Sequence, residues 1–312
     1  MPERPPSAAA PSERRARARQ GDVASASMRD FWSLAKPEIS FLVTISALAG
    51  FLLGAAETGV FSGSQLVFTL AGVFLCAGGV GALNHYLERH LDAQMKRTRD
   101  RALPAGRVSP KTARRYGLAL ASAGVGLLCP LVGPLTAALA ILTGVLYLYV
   151  YTPLKQKTSH NTLVGTIPGA LPALGGYAAA TGSLSVTGWL LFGVMATWQM
   201  PHFLSLAWMY RTDYERAGFR MTPTVQADGG ASTARQTIAY TTLLLALSTL
   251  LSLAGPLGMI YLTGAVPLGG WFLCEGIRFN RRRTNQSAGR VLKASIWYVP
   301  ALVVLIAVDW LV

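Results

Sequence analysis

The sequence predicts an all-α polytopic membrane protein with nine transmembrane helices, and three observations carry that prediction. The first is composition. Of 312 residues, 52% are hydrophobic and only 13% charged, about half the charged fraction of a soluble domain, and mean hydropathy is +0.39. The second is a series of apolar runs of roughly 18 to 22 residues, long enough to cross about 30 Å of hydrocarbon. The third is the placing of the cations between those runs.

The expected spans are 37–57, 64–88, 113–131, 134–151, 162–181, 186–209, 236–254, 257–277 and 294–311. Most are rich in Gly and Ala, as in helices that pack closely in lipid. No ten-residue segment alternates apolar with polar, so barrel strands are not expected. All 28 Lys and Arg fall before the first span, over 89–115, at Lys155 and Lys157, between the sixth and seventh spans, or from Arg278 to Lys293. The loops near 58–63, 132, 182–185 and 255 hold none. Cations collect on the cytoplasmic side, so the N-terminus is expected inside and the C-terminus outside. The net charge of +14 is then topological, and no nucleic acid is needed to explain it. A face this positive attracts anionic substrates and membrane lipid.

Residues 1–27 are rich in Ala, Pro, Ser and Arg and read as a disordered basic cytoplasmic tail. No apolar core follows within reach, which argues against a cleaved secretory signal. Glu3, Glu13 and Asp22 argue against a mitochondrial transit peptide. Cys76, Cys129 and Cys274 lie in or beside apolar runs without CxxC spacing. They are expected as small buried hydrophobes rather than zinc ligands or disulfides.

Chemistry is concentrated at three span ends. Asn84, Glu88 and Asp92 stand four residues apart. On a helix they drift by about 80° and rise about 12 Å, forming one polar stripe. Charged groups near membrane depth are expensive and mark functional sites. Two carboxylates and an amide suit Mg²⁺, which fills its shell with water and substrate phosphate. Lys96, Arg97, Arg99 and Arg101 follow and suit the remaining diphosphate oxygens. The same spacing also fits interfacial salt bridges from Glu88 and Asp92 to Arg89, Lys96 or Arg97.

A second stretch, "WQMPHFLSLAWMYRTDYERAGFRMTP" (198–223), places Trp198, Gln199 and His202 inside an apolar helix, with Pro201 expected to kink it. Asp213 and Tyr214 follow, then Arg216, Gly218 and Arg220. A third, 151–176, supplies Lys155, Lys157 and Asn161, and its Gly and Pro residues suggest a broken helix or close backbone approach. Spans two, four and six would all end inside, so their polar ends would surround one cavity. An isoprenyl diphosphate fits such a site: the tail takes the apolar wall, the head the metal and cations.

"NHYLERHLDAQMKRTRDRALPAGRVSP", "YTPLKQKTSHNTLVGTIPGALPALGGY" and "WQMPHFLSLAWMYRTDYERAGFRM" also carry a resemblance. Over nearly all of 30–312 the chain resembles the UbiA-type intramembrane prenyltransferases, and within them the heme O synthase branch. The resemblance implies nine helices around a central cavity and an intramembrane prenyltransferase domain over 28–312. It implies transfer of the farnesyl group of farnesyl diphosphate to a vinyl group of heme B, giving heme O and pyrophosphate. Asn84, Glu88 and Asp92 match the first acidic motif and Asp213 the second, implying that these four bind Mg²⁺, as two or more ions. Lys96, Arg97, Arg101, Lys155, Asn161, Tyr214, Trp198 and His202 are implied substrate contacts. A bacterial inner membrane, a cytoplasmic active site and a downstream heme A synthase as partner are implied as well. His85 stands where the wider family has Asp, Ala217 where many relatives carry a second acid, and Gln156 where the branch usually has Arg. For His202, a hydrogen bond to a neighbour stands beside heme contact. The readings that compete are a related prenyltransferase acting on an aromatic acid or quinone precursor, and a transporter.

Overall fold

The computed structural model describes residues 26–312, and every regular element among them is helical. A short helix α1 (Met28–Leu34) precedes the long helices α2 (Pro37–Thr58), α3 (Gly63–Asp92) and α4 (Pro110–Leu131). α5 (Pro134–Leu154) follows, then α6 (Asn161–Thr181) and α7 (Val186–Met209). Two short helices, α8 (Arg211–Arg216) and α9 (Thr222–Val225), lead into α10 (Ala231–Ala254), α11 (Met259–Arg282) and α12 (Asn285–Leu311). The tail expected over 1–27 lies outside the described residues apart from its last two.

Helix ends follow local chemistry. Ser27 and Thr284 form capping boxes, and the Ser62, Ser109 and Ser185 side chains accept from first-turn amides. Gly59 and Gly182 end α2 and α6 in the left-handed conformation.

Each expected span falls on a helix, and among the described residues seven are long and apolar enough to cross a membrane. The other two, α4 and α7, have the length but not the apolarity. α4 opens on Lys111, Arg114 and Arg115, and α7 carries Gln199 and His202 inward. α7 also stays helical through Pro201, and α6 through Pro168 and Pro172. The break expected in the third loop lies earlier instead, as a π-helical turn over Leu146–Tyr151 and the connection 155–160.

α6 is the most enclosed of the spanning helices, packed on α2, α5 and α7. Glycines permit that approach. A Cβ at Gly176 would stand 1.9 Å from the Ala47 carbonyl oxygen, and one at Gly50 1.9 Å from that of Ala173. α10, α11 and α12 pack behind α7, and α12 returns to α2. Cys76 is buried, but Cys129 and Cys274 lie on the outer surface. The expectation of three buried cysteines fails because a surface that meets lipid accepts a small apolar side chain as readily as the interior does.

Candidate active site

The first stripe forms as its spacing predicts. Asn84, Glu88 and Asp92 are all buried on the last turns of α3. Their partners, however, come from elsewhere in the chain. Lys155 at the end of α5 donates to Glu88 Oε1 at 2.8 Å. Arg101 Nη1 reaches both Asp92 carboxylate oxygens at 2.9 Å. Lys36 Nζ donates to Asn84 Oδ1, while Asn84 Nδ2 donates to Thr152 Oγ1 at 3.2 Å. The Thr152 hydroxyl itself donates to the Tyr147 carbonyl at 2.9 Å, which fixes which way the Asn84 amide faces. The nearby cations proposed from spacing are elsewhere. Arg89 donates to the Tyr86 carbonyl, Lys96 is exposed, and Arg97 lies over the Tyr210 ring at 5.1 Å.

Two lysines show opposite electrostatics. Burial and the charge of Arg101 push the Lys36 ammonium down to about 7. Burial works the same way on Lys155, but the Glu88 carboxylate outweighs it and holds that ammonium above the ordinary lysine range.

The second and third motifs reach the same end of the molecule. Arg220 N–H donates to the Lys155 carbonyl at 2.7 Å. Asn161, fully buried, donates from Nδ2 to the carbonyls of Thr158 and Arg220 at 2.6 and 2.8 Å. Its amide therefore latches the two motifs together and does not line the cavity. Met95, just past the acidic stripe, packs with Ala207, Ala217, Phe219, Met221 and Tyr214. Asp213 is half-buried and pairs with Arg216 at 3.2 Å. Lys157 is exposed.

From this charged end a cavity of about 320 Å³ runs into the bundle between α2, α3, α5, α6 and α7, a size usual for small-ligand sites. Lys36, Tyr147 and Tyr151 stand at its mouth, and its wall is mostly aliphatic. Trp198, His202 and Phe203 form its α7 side. Both Trp198 and His202 are tied to Ser295 of α12: Trp198 Nε1 donates to its carbonyl at 2.8 Å, and His202 Nδ1 lies 2.8 Å from its hydroxyl.

No cluster of three or more acids, histidines or cysteines is gathered for a metal among the described residues. The donor chemistry nevertheless fits Mg²⁺. Asn84, Glu88 and Asp92 present hard oxygens on one buried helix face, each now held by a cationic side chain that a metal ion can replace or share.

The sequence profile of the UbiA prenyltransferase family matches residues 43–299. The chain belongs to that family. A protoheme IX farnesyltransferase of Salinibacter ruber is 61% identical over 281 residues, covering 90% of this chain and 98% of the relative. Another, from Solibacter usitatus, is 41% identical over 90% of this chain and 99% of its own. Among solved structures, the UbiA homologue of Archaeoglobus fulgidus bound to GPP and Mg²⁺ shares the fold. Its TM-score is 0.62 at 15% identity, over 89% of this chain and 99% of that one. A digeranylgeranylglyceryl phosphate synthase gives TM-score 0.73 at 15% identity, covering 91% and 98%.

The candidate site of this UbiA prenyltransferase also contains residues that sequence reasoning passed over. Lys36 counted only as a topological cation, although a lysine directly before the proline that starts the first span is a visible signal. It adopts a left-handed backbone, φ 47°, which is uncommon outside Gly, Asn and Asp. Thr152 and Ser295 carried no signal in the sequence, because a hydroxyl in an apolar run has many uses.

Proposed function

We propose that this UbiA prenyltransferase transfers the farnesyl group of farnesyl diphosphate to a vinyl group of heme B, giving heme O and pyrophosphate. The observation that carries prenyl transfer is the junction of a charged mouth, built of Lys36, Asn84, Glu88, Asp92, Arg101 and Lys155, with an apolar cavity beneath it. The acceptor rests on the relatives named protoheme IX farnesyltransferase, which match over nearly their whole length.

The bond from farnesyl C1 to the diphosphate oxygen breaks, and pyrophosphate leaves with the electron pair. Lys36, Lys155 and Arg101, joined by Lys96 and Arg97 from the surface, neutralise the departing charge. Asn84, Glu88 and Asp92, with Asp213 from the second motif, are the residues that would hold Mg²⁺, which when bound supplies Lewis-acid stabilisation of the leaving diphosphate. The aliphatic wall keeps water from the allylic cation. Tyr147, Tyr151, Trp198 and Phe203 offer it aromatic faces. The terminal vinyl carbon bonds to farnesyl C1, positive charge passes to the carbon beside the porphyrin ring, and water adds there and releases a proton. His202 and Trp198, braced by Ser295, form the wall against which heme is held, and Tyr214 steadies the second motif at the mouth.

The charge pattern supports nine spans in a bacterial inner membrane, with the N-terminus and active site cytoplasmic and the C-terminus outside. The test is turnover by membranes containing the protein, given heme B, farnesyl diphosphate and Mg²⁺, with the pigments separated by mass. Heme carrying a farnesyl group and one water supports the proposal. Unmodified heme with farnesyl on an aromatic acid keeps prenyl transfer and overturns the acceptor.

A further inference from the structure

The cavity follows α2 from Lys36 to Ser46 and α6 from Gly165 to Gly175. Ten residues of helix give a depth of about 15 Å. α7 contributes only from Trp198 to Leu206, so the deep end is closed by α2, α3, α5 and α6 alone.

Four glycines lie on α6, and three have an evident packing reason. A Cβ at Gly165 would meet the Tyr151 ring at 2.6 Å, at Gly169 the Gln199 Oε1 at 1.8 Å, and at Gly176 the Ala47 carbonyl oxygen at 1.9 Å. Gly175 differs. It lines the cavity, its backbone is not left-handed, and a Cβ there would meet only Leu139 Cβ, at 4.0 Å. Neither strain nor crowding calls for glycine, so its missing side chain is cavity volume. Across the floor Thr136 Oγ1 donates to the Gly175 carbonyl at 3.4 Å and fixes the wall.

We infer that Gly175, facing Leu139 at the cavity floor, sets the length of prenyl chain the protein accepts. This rests on the prenyl-transfer reading above. A side chain at 175 takes the space of the terminal isoprene unit, and a smaller one at 139 adds space beyond it.

The experiment measures binding of geranyl, farnesyl and geranylgeranyl diphosphates to purified protein by quenching of tryptophan fluorescence, with heme B turnover run in parallel. Gly175→Leu is expected to lower the farnesyl-to-geranyl affinity ratio about tenfold or more, the scale on which an apolar pocket discriminates by size. Leu139→Ala is expected to raise geranylgeranyl relative to farnesyl. An unchanged farnesyl-to-geranyl ratio in Gly175→Leu overturns the inference. If that variant does not fold, an unchanged geranylgeranyl ratio in Leu139→Ala overturns it instead. Wild-type protein that binds the diphosphates but leaves heme unmodified overturns the acceptor alone, and the affinity ratios still decide the role of Gly175. Protein that binds none of the three overturns both readings.

Discussion

Lys155 Nζ lies 2.8 Å from Glu88 Oε1, an ion pair buried at both ends that joins the end of α5 to the last turns of α3. Removing either charge strands the other in a medium of low polarity. Glu88→Ala or Lys155→Met is expected to abolish turnover and to lower stability by about 3 kcal/mol. Glu88→Gln with Lys155→Met should regain most of the stability and none of the turnover. Thermal melting and the heme assay separate the two effects, and a double variant that turns over would make the pair purely structural.

Arg101 grips both oxygens of Asp92 through one nitrogen. Arg101→Lys keeps the charge but loses the planar guanidinium. We expect kcat/KM for the diphosphate donor to fall about tenfold, and about a hundredfold in Asp92→Asn, on the scale of losing one preorganised electrostatic contact. Steady-state kinetics with farnesyl diphosphate checks both.

Treatment with EDTA should stop turnover, and Mg²⁺ should restore it, because three hard oxygen donors share one buried helix face. Full activity in EDTA would mean that lysine and arginine alone carry the diphosphate.

The buried Asn161 amide satisfies two backbone carbonyls, those of Thr158 and Arg220. Asn161→Ala leaves both without that donor, at a cost of about 1–3 kcal/mol. Because the latch holds Lys155 in place, KM for the diphosphate should rise with it. Unchanged KM in a destabilised variant would confine Asn161 to the fold.

Asp30 of α1 holds Arg107 at 2.9 Å, strapping α1 across residues 93–109. The Arg107 guanidinium, aided by Ser27, pulls the Asp30 carboxyl down to about 2 from its ordinary 3.8. A carboxyl lowered on folding favours the fold above its unfolded value and loses that contribution as pH falls through the folded one. Protection of this loop from pepsin should therefore hold down to about pH 4 and fall away toward pH 2. Asp30→Asn should remove the step and expose the loop at every pH.

Helix positions were legible because hydrophobic run length and capping residues are local signals. The acidic stripe was legible because four-residue spacing fixes a helix face. Its partners were not. Lys155 and Arg101 displaced the nearer Arg89, Lys96 and Arg97, since a buried carboxylate takes the cation that tertiary packing brings to it. The latch made by Asn161 was not legible either, because a lone asparagine beside glycines and prolines gives no hint of which carbonyls it serves. α7 fell short in apolarity for the reason that makes it useful, since Gln199 and His202 turn inward to the cavity.

The π-helical turn over Leu146–Tyr151 spends one more residue than an α-helical turn would, and Thr152 N–H closes it onto the Tyr147 carbonyl. That surplus residue sets the rotational register of everything after it. Were the same residues to wind as regular α-helix, Thr152 and Lys155 would swing by about 100° around the axis, parting them from Asn84 and Glu88 at one stroke. The meeting of α5 with α3 is therefore a matter of winding as well as of side chains, and a segment one residue shorter would keep it by closing the same Thr152-to-Tyr147 bond as an ordinary α-helical one.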